Sequence, residues 1–235
     1  ENEKSLVVVR DPLGIKPLYY NIHGSTFTFA SEIKALVRSG WVQAEINPIG
    51  ALHHLSYLWS PGSTTILKGV SKLLPGHYML IKHGEEPQLK EYNDLRFEEG
   101  IPNYNLHDYV NTLSQKLSAA VKRQLVADVP LGAFLSGGLD SSSIAAFAQK
   151  SLGEHRRLQC FTIKVPDHNT NQGFVEDLPY ALKVAEHLDL DLHIVEPDHS
   201  IAARLNEMLY FLDEPTADPA ALNTLLISEF AIDKG

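Results

Sequence analysis

Gly132-Ala133-Phe134-Leu135-Ser136-Gly137-Gly138-Leu139-Asp140-Ser141-Ser142-Ser143 joins two kinds of pattern in one short stretch. Its first residues close an apolar run, Leu131 to Leu135, that reads as a buried strand. From about Leu139 to Ser151 the spacing is that of a helix. Between them, two glycines let the backbone turn sharply and bring its N–H groups close to an anion with no Cβ in the way. A helix that starts there aims its free N–H groups and the positive end of its dipole at the same point, which suits phosphate. Ser136, Ser141 and Ser142 add hydroxyl donors. Asp140, in the first helical turn, is badly placed to touch phosphate directly and well placed to hold a Mg²⁺ that bridges to it. The run is not a Walker A loop, because Gly-Lys-Ser/Thr is missing, and it is not a Gly-x-Gly-x-x-Gly dinucleotide loop. The plainer explanation is a Gly-rich βα turn with a Ser/Asp cap.

The pattern continues on both sides of this stretch. Leu158 to Val165 reads as a second strand, Leu178 to Leu188 as a helix and Asp191 to Val195 as a third strand, with helices at about Ile201 to Phe211 and Pro219 to Ile232. Upstream, Leu106 to Leu125 carries Val110, Leu113, Leu117, Val121 and Leu125 at helical spacing. Strands alternating with helices of ten or more residues imply βαβ crossovers and a buried parallel sheet.

The first hundred residues read differently. Ser5 to Arg10, Pro17 to Ile22, Ser25 to Ala30 and His77 to His83 are short β-type runs bounded by turn signals such as Asp11-Pro12-Leu13-Gly14 and Pro75-Gly76. A helix is expected at Ser31 to Arg38, capped by Ser31, and another at Pro48 to Leu58, with Asn47 as N-cap. Arg10 and Asp11 read as structural residues that order the turn at Gly14. Around Asn93 to Asn105 the composition turns polar, which sets the expected domains at 1–92, a linker at 93–105, and 106–235.

Composition narrows the class. The chain has 235 residues, one cysteine and a formal net charge of −9. One cysteine excludes a disulfide scaffold or a Cys-rich zinc module, and no apolar run reaches the ~18 residues of a membrane span. The acidic balance argues against nucleic acid as a partner. Nothing at the N-terminus resembles a signal peptide, so a cytoplasmic, reducing setting is expected. The charge is uneven: residues 1–100 hold 10 Lys/Arg against 11 Asp/Glu, and residues 101–235 hold 10 against 18.

Ser136 to Ser142 resembles the pyrophosphatase loop of the N-type ATP pyrophosphatases, and Val129 to Ala146 is similar to the synthetase domain of class B, glutamine-dependent asparagine synthetases. Arg10 to Tyr20, Phe29 to Leu36, Thr64 to Tyr78 and Asp213-Glu214-Pro215-Thr216-Ala217-Asp218-Pro219 resemble the same family, in family order. The resemblance implies an α+β N-terminal part, an antiparallel β-rich remnant of an Ntn glutaminase sandwich. An α/β parallel-sheet PP-loop ATP pyrophosphatase domain would follow, with both domains incomplete. It implies amidation of aspartate: the side-chain carboxylate attacks the α-phosphorus of ATP, β-aspartyl-AMP and pyrophosphate form, and glutamine-derived ammonia displaces AMP.

By the same resemblance, Ser136, Gly137, Gly138, Ser141 and Ser142 hold pyrophosphate, with Ser136 and Asp140 in catalytic roles and Asp140 as the Mg²⁺ ligand. Phe134, Leu135 and Ile163 would line the adenine pocket, partly through backbone groups. Asp213 and Glu214 could sit at the acceptor amino acid, although acidic residues beside helices usually serve as caps and dipole partners; the same holds for Glu176 and Asp177. The glutaminase nucleophile of the family is an N-terminal cysteine, whereas this chain opens with Glu1 and its only thiol, Cys160, falls in a buried strand. The chain is therefore expected to be an internal fragment, inactive by itself, with the family's second nucleotide and metal loop beyond Gly235. The resemblance is compatible with a homodimer of the full-length protein. Two other readings stay open: an AMP-forming amide or β-lactam synthetase with another carboxylate acceptor, and a non-catalytic nucleotide-binding scaffold.

Overall fold

The structure, a computed structural model, describes residues 4–94, 105–153, 155–164, 177–216, 218 and 220–235. Most of the expected linker, Val165 and Glu176 lie outside the described residues. The chain forms two compact units, one of residues 1–99 with 206–219 and one of residues 100–205 with 220–235.

The first unit holds two small antiparallel sheets. In one, β1 (Ser5–Val9) pairs with β5 (His77–Lys82), Ser5 opposite Lys82 and Val9 opposite Tyr78, and β5 pairs with β6 (Gln88–Glu91). In the other, β2 (Tyr19–His23) lies between β3 (Thr26–Ala30) and β4 (Val70–Lys72). The β2–β3 hairpin turns at Gly24, whose φ of +58° suits the tight turn that the right-handed strand twist prefers. Tyr19, Ile33, Leu36, Val42 and Val70 form the core between this sheet and α1 (Ile33–Arg38). The turn after β1 is built as expected. Asp11 accepts from the backbone N–H groups of Leu13, Ile15 and Lys16, while Arg10 donates to the carbonyls of Gly14, Lys16 and Leu73.

Two helix starts in this unit show how caps are found. α2 (Pro48–Tyr57) begins as its sequence predicts, with Pro48 in the first turn and the Asn47 side chain accepting from Ile49 N–H. α1 does not. Its N-cap is Glu32 rather than Ser31, and Glu32 makes no side-chain cap bond. The carboxylate of Asp213 instead accepts from the N–H groups of Ile33 and Lys34. A cap 180 residues away in sequence satisfies the same orphan donors as a local one.

The second unit is organised on a parallel sheet in the order β7 (Gly132–Phe134), β8 (Gln159–Ile163), β9 (Asp191–Val195). α4 (Leu139–Leu152) crosses from β7 to β8, and α5 (Leu178–Leu188) lies in the chain between β8 and β9. Cys160, Phe161 and Thr162 are all buried, as befits a central parallel strand covered on both faces. Leu135, Ala145, Ala148, Leu158, Cys160, Ala181 and Ala185 make the core with Val121 of α3 (Leu106–Gln124). After β9 the single helix expected at 201–211 is divided into a 3₁₀ segment, His199–Arg204, and α6 (Leu205–Leu212). α7 (Ala220–Asp233) closes the described chain and sets Phe230 edge-on to Phe161, 6.2 Å between ring centres.

Candidate functional site

The loop between β7 and α4 sits at the carboxyl end of β7, where parallel sheets present ligands. Gly137 carries it through the turn with φ +77°, a conformation that favours glycine. A second constraint acts on the same residue. A Cβ on Gly137 would lie 2.4 Å from Ala181 N and 2.5 Å from Tyr180 C, so the first turn of α5 is pressed against the loop backbone. That close approach is invisible in the sequence, since it joins Gly137 to Tyr180 and Ala181, more than 40 positions away. It also brings α5, whose N-cap is Asp177, to the loop.

The hydroxyls bind one another. Ser136 Oγ and Ser141 Oγ lie 3.0 Å apart, Ser136 N–H donates to Ser141 Oγ at 3.3 Å, and Gly138 N–H donates to Ser136 Oγ at 3.3 Å. Bonds of 3.3 Å are at the long end of the hydrogen-bond range. A phosphate oxygen offering shorter, charge-assisted bonds can replace them without leaving buried donors stranded. Gly138, the N-cap of α4, makes no side-chain cap bond, so the helix start is not closed over by its own sequence. Ser142 Oγ is buried without a hydrogen-bond partner among the described residues, a donor held open within the loop.

Asp140 is exposed in the first turn of α4, with no hydrogen bond or ion pair among the described residues. Among the described residues no group of three or more His, Cys, Asp or Glu could hold a metal. A lone free carboxylate fits Mg²⁺ rather than a protein-caged ion, because Mg²⁺ is commonly held by one or two carboxylates and completes its shell with water and phosphate oxygens.

The three residues assigned to an adenine pocket separate. Phe134 is half-exposed and lines an apolar hollow of about 710 Å³ with Leu131, Phe161 and Ile232. Leu135 is 1% exposed and belongs to the core, so its side chain cannot face a ligand and only its main chain could contribute. Its N–H is already donated to Phe161 C=O at 2.8 Å. Ile163 ends β8, half-buried, and does not line that hollow.

Asp213 and Glu214, the acceptor-site candidates, are engaged elsewhere, inside the first unit. Asp213 holds the start of α1 and pairs with Lys34 Nζ at 3.3 Å, and Glu214 accepts from Ile66 N–H at 3.1 Å and from Lys72 Nζ at 3.0 Å. Their side chains are 8% and 13% exposed. Burial drives the phenol of Tyr19 far above its ordinary range, and the negative charge of Glu214 adds to the shift, so Tyr19 stays neutral. No expectation from the sequence pointed to Lys34, Lys72 or Tyr19; their roles follow from contacts more than 140 residues away for both lysines. Cys160, 0% exposed, has its thiol pushed up to about 11 by burial, which makes it a packing residue rather than a nucleophile.

Residues 1–93 match the glutamine amidotransferase domain model, and residues 112–235 match the asparagine synthase model. The chain is 27% identical over 97% of its length to "Amidase chry2" of Gibberella zeae, covering 35% of that protein. It is 29% identical over 98% of its length to "Asparagine synthetase [glutamine-hydrolyzing] 1" of Bacillus subtilis, again covering 35%. The NMN synthetase structure from Francisella tularensis overlaps it in part: 21% identity, 56% of this chain, 52% of that one, TM-score 0.35. The chain spans about a third of the length of the curated relatives it matches. It belongs to the glutamine-dependent asparagine synthetase family.

Proposed function

We propose that this chain carries the end of a glutamine amidotransferase domain and the beginning of an AMP-forming synthetase domain, in a protein that converts aspartate to asparagine at the expense of ATP. The observation that carries the reading is the Ser136–Ser142 loop at the mouth of a parallel sheet, with exchangeable hydroxyl bonds, an uncapped helix start and a free Asp140. On this reading ATP is cleaved between its α- and β-phosphates and the loop holds the departing pyrophosphate. The backbone N–H groups of the α4 start and the Ser136 and Ser141 hydroxyls stabilise the charge that develops on it. Asp140 would hold Mg²⁺, which when bound would neutralise part of the phosphate charge. Phe134 offers an apolar wall for the base. Catalysis is then mainly positioning and charge stabilisation.

A second reading has support in the amidase named among the relatives, which the chain matches over nearly its whole length. In it the same adenylation serves another carboxylate. The experiment that separates the two is pyrophosphate release with MgATP against a panel of carboxylates, using a polypeptide of the relatives' length that contains this chain. Aspartate is expected to stimulate release most. Preference for another acid favours the second reading, and no release with any acid favours a non-catalytic nucleotide-binding scaffold.

A further inference from the structure

The turn between β7 and α4 carries no cation of its own. From Gly132 to Ser143 there is no Lys, Arg or His, and the one charge is the carboxylate of Asp140. Asp213 and Glu214 are engaged in the first unit, so charges that meet an acceptor beside the loop must come from elsewhere on the parallel sheet. One pair stands at its carboxyl edge. Phe134 of β7 pairs with Phe161 of β8, and Ile163 of β8 with Val195 of β9. Counted from the first pairing, Lys164 is as far along β8 as Gly137 is along the chain that leaves β7; counted from the second, it stands opposite Glu196. The ladder still holds there, with Lys164 N–H donating to Val195 C=O at 2.9 Å. The side chains meet as well, Lys164 Nζ lying 2.6 Å from Glu196 Oε1. Alternation along the strand puts Lys164 on the face of Cys160 and Thr162. That is the face on which Cys160 packs with Ala145 of α4 and Ala181 of α5, the two helices whose first turns meet at the loop.

The chemistry of the pair decides what it suits. Its side chains are 40% and 62% exposed, and an ion pair so open to water contributes little to stability, so its members can be drawn apart by a ligand. A lone ammonium beside the loop would attract a phosphate. Here the carboxylate next to it offsets that charge, and a phosphate brought to Lys164 would meet Glu196 too. A zwitterion meets no such conflict, because its carboxylate can take Lys164 and its ammonium Glu196, each in a charge-assisted bond that replaces the pair's own. The geometry points to Lys164 and Glu196 as the residues that read the α-carboxylate and α-ammonium of an amino-acid acceptor. The acceptor's side-chain carboxylate is then left to face the α-phosphorus of a nucleotide held by the Ser136–Ser142 loop. This rests on the adenylation reading above and narrows it, since the acceptor becomes an α-amino acid with a carboxylate in its side chain.

The test uses a polypeptide of the relatives' length with Lys164→Met, Glu196→Gln, and the exchanged pair Lys164→Glu with Glu196→Lys. The kcat/KM for pyrophosphate release with MgATP is measured for aspartate, for succinate, which lacks the α-ammonium, and for β-alanine, which lacks the α-carboxylate. Binding of MgATP is followed by calorimetry. In Glu196→Gln, aspartate is expected to lose about tenfold or more, the scale of one hydrogen bond to a charged group, and succinate less than about twofold. In Lys164→Met the loss is expected with aspartate and succinate, while β-alanine and the affinity for MgATP change less than about twofold. The exchanged pair keeps an ion pair but presents each charge to the wrong end of the acceptor, so aspartate use is not expected to recover. Unmoved aspartate kinetics, equal losses with all three acids, or recovery in the exchanged pair overturns the inference and leaves a cross-strand contact only. MgATP bound about tenfold more weakly by Lys164→Met overturns it in favour of a phosphate contact. A parent that prefers an acid without an α-ammonium, or releases no pyrophosphate, refutes the aspartate reading and the inference with it, whereas a parent that uses aspartate with unmoved variants refutes the inference alone.

Discussion

Asp140 and Asp11 are both exposed or half-exposed acids near a turn, and the structure uses them in opposite ways. Asp11 is taken up by three backbone N–H groups, and the one from Ile15 does most to hold its carboxyl below the ordinary range. A carboxyl lowered in this way stabilises the fold above its unfolded pKa of roughly 3.9 and ceases to do so as pH falls through the lower folded value. Asp11→Asn is therefore expected to lower the urea midpoint at pH 7, with the gap from the parent narrowing at a pH below roughly 3.9. An equal gap at both pH values would contradict this account of the turn. Asp140 has no such partners among the described residues. Asp140→Ala is expected to leave the fold intact and to cut Mg²⁺-dependent pyrophosphate release by about a hundredfold or more, the scale of losing one charge-stabilising group. Release that keeps the parent's rate and Mg²⁺ dependence would remove Asp140 from the site. The part Asp11 plays in its turn and the place of Asp140 in the first turn of α4 were legible in the sequence because the Gly14 and Gly137-Gly138 turns are local. Asp213 and Glu214 were not, because the groups they serve are Lys34, Ile66 and Lys72, which no spacing along the chain connects to them.

At the level of elements, hydrophobic period and caps located most helices and strands. α5 and β9 have the expected bounds, and α4 differs by one residue at its end. What escaped is instructive. β4 is three residues long and β6 carries Lys90 and Glu91 with every position exposed, so neither shows the alternation that marks a half-buried strand. The helix expected at 201–211 begins as a 3₁₀ segment with Asp198 capping Ser200 N–H, a local device that continuous helical spacing conceals. α2 contains a further close approach: a Cβ at Gly50 would fall 2.1 Å from the carbonyl oxygen of Thr65. Gly50→Ala is expected to destabilise the first unit by about 3 kcal/mol, despite alanine's better helix propensity, because the clash is with backbone that cannot rotate away. A midpoint equal to or above the parent's in a denaturant titration would show that the Thr65 segment gives way freely.

Across the whole molecule, the sequence divides by composition near residue 100, and the structure divides there as well, into an antiparallel and a parallel unit. Composition could not reveal that residues 206–219 belong with the first unit, since their helical spacing in α6 is compatible with either. The excess of acid in the second half likewise takes on meaning only beside the loop: a nucleotide bound there would sit in an acidic unit, and Mg²⁺ would screen it. The central claim is chemical, that a carboxylate oxygen attacks the α-phosphorus of ATP while the Ser136–Ser142 loop retains pyrophosphate. Its most direct test supplies aspartate labelled with ¹⁸O in the side-chain carboxylate, with MgATP and ammonium, to a polypeptide of the relatives' length, and weighs the products. The account predicts AMP carrying one ¹⁸O and unlabelled pyrophosphate; ADP and phosphate, or AMP free of label, would contradict it.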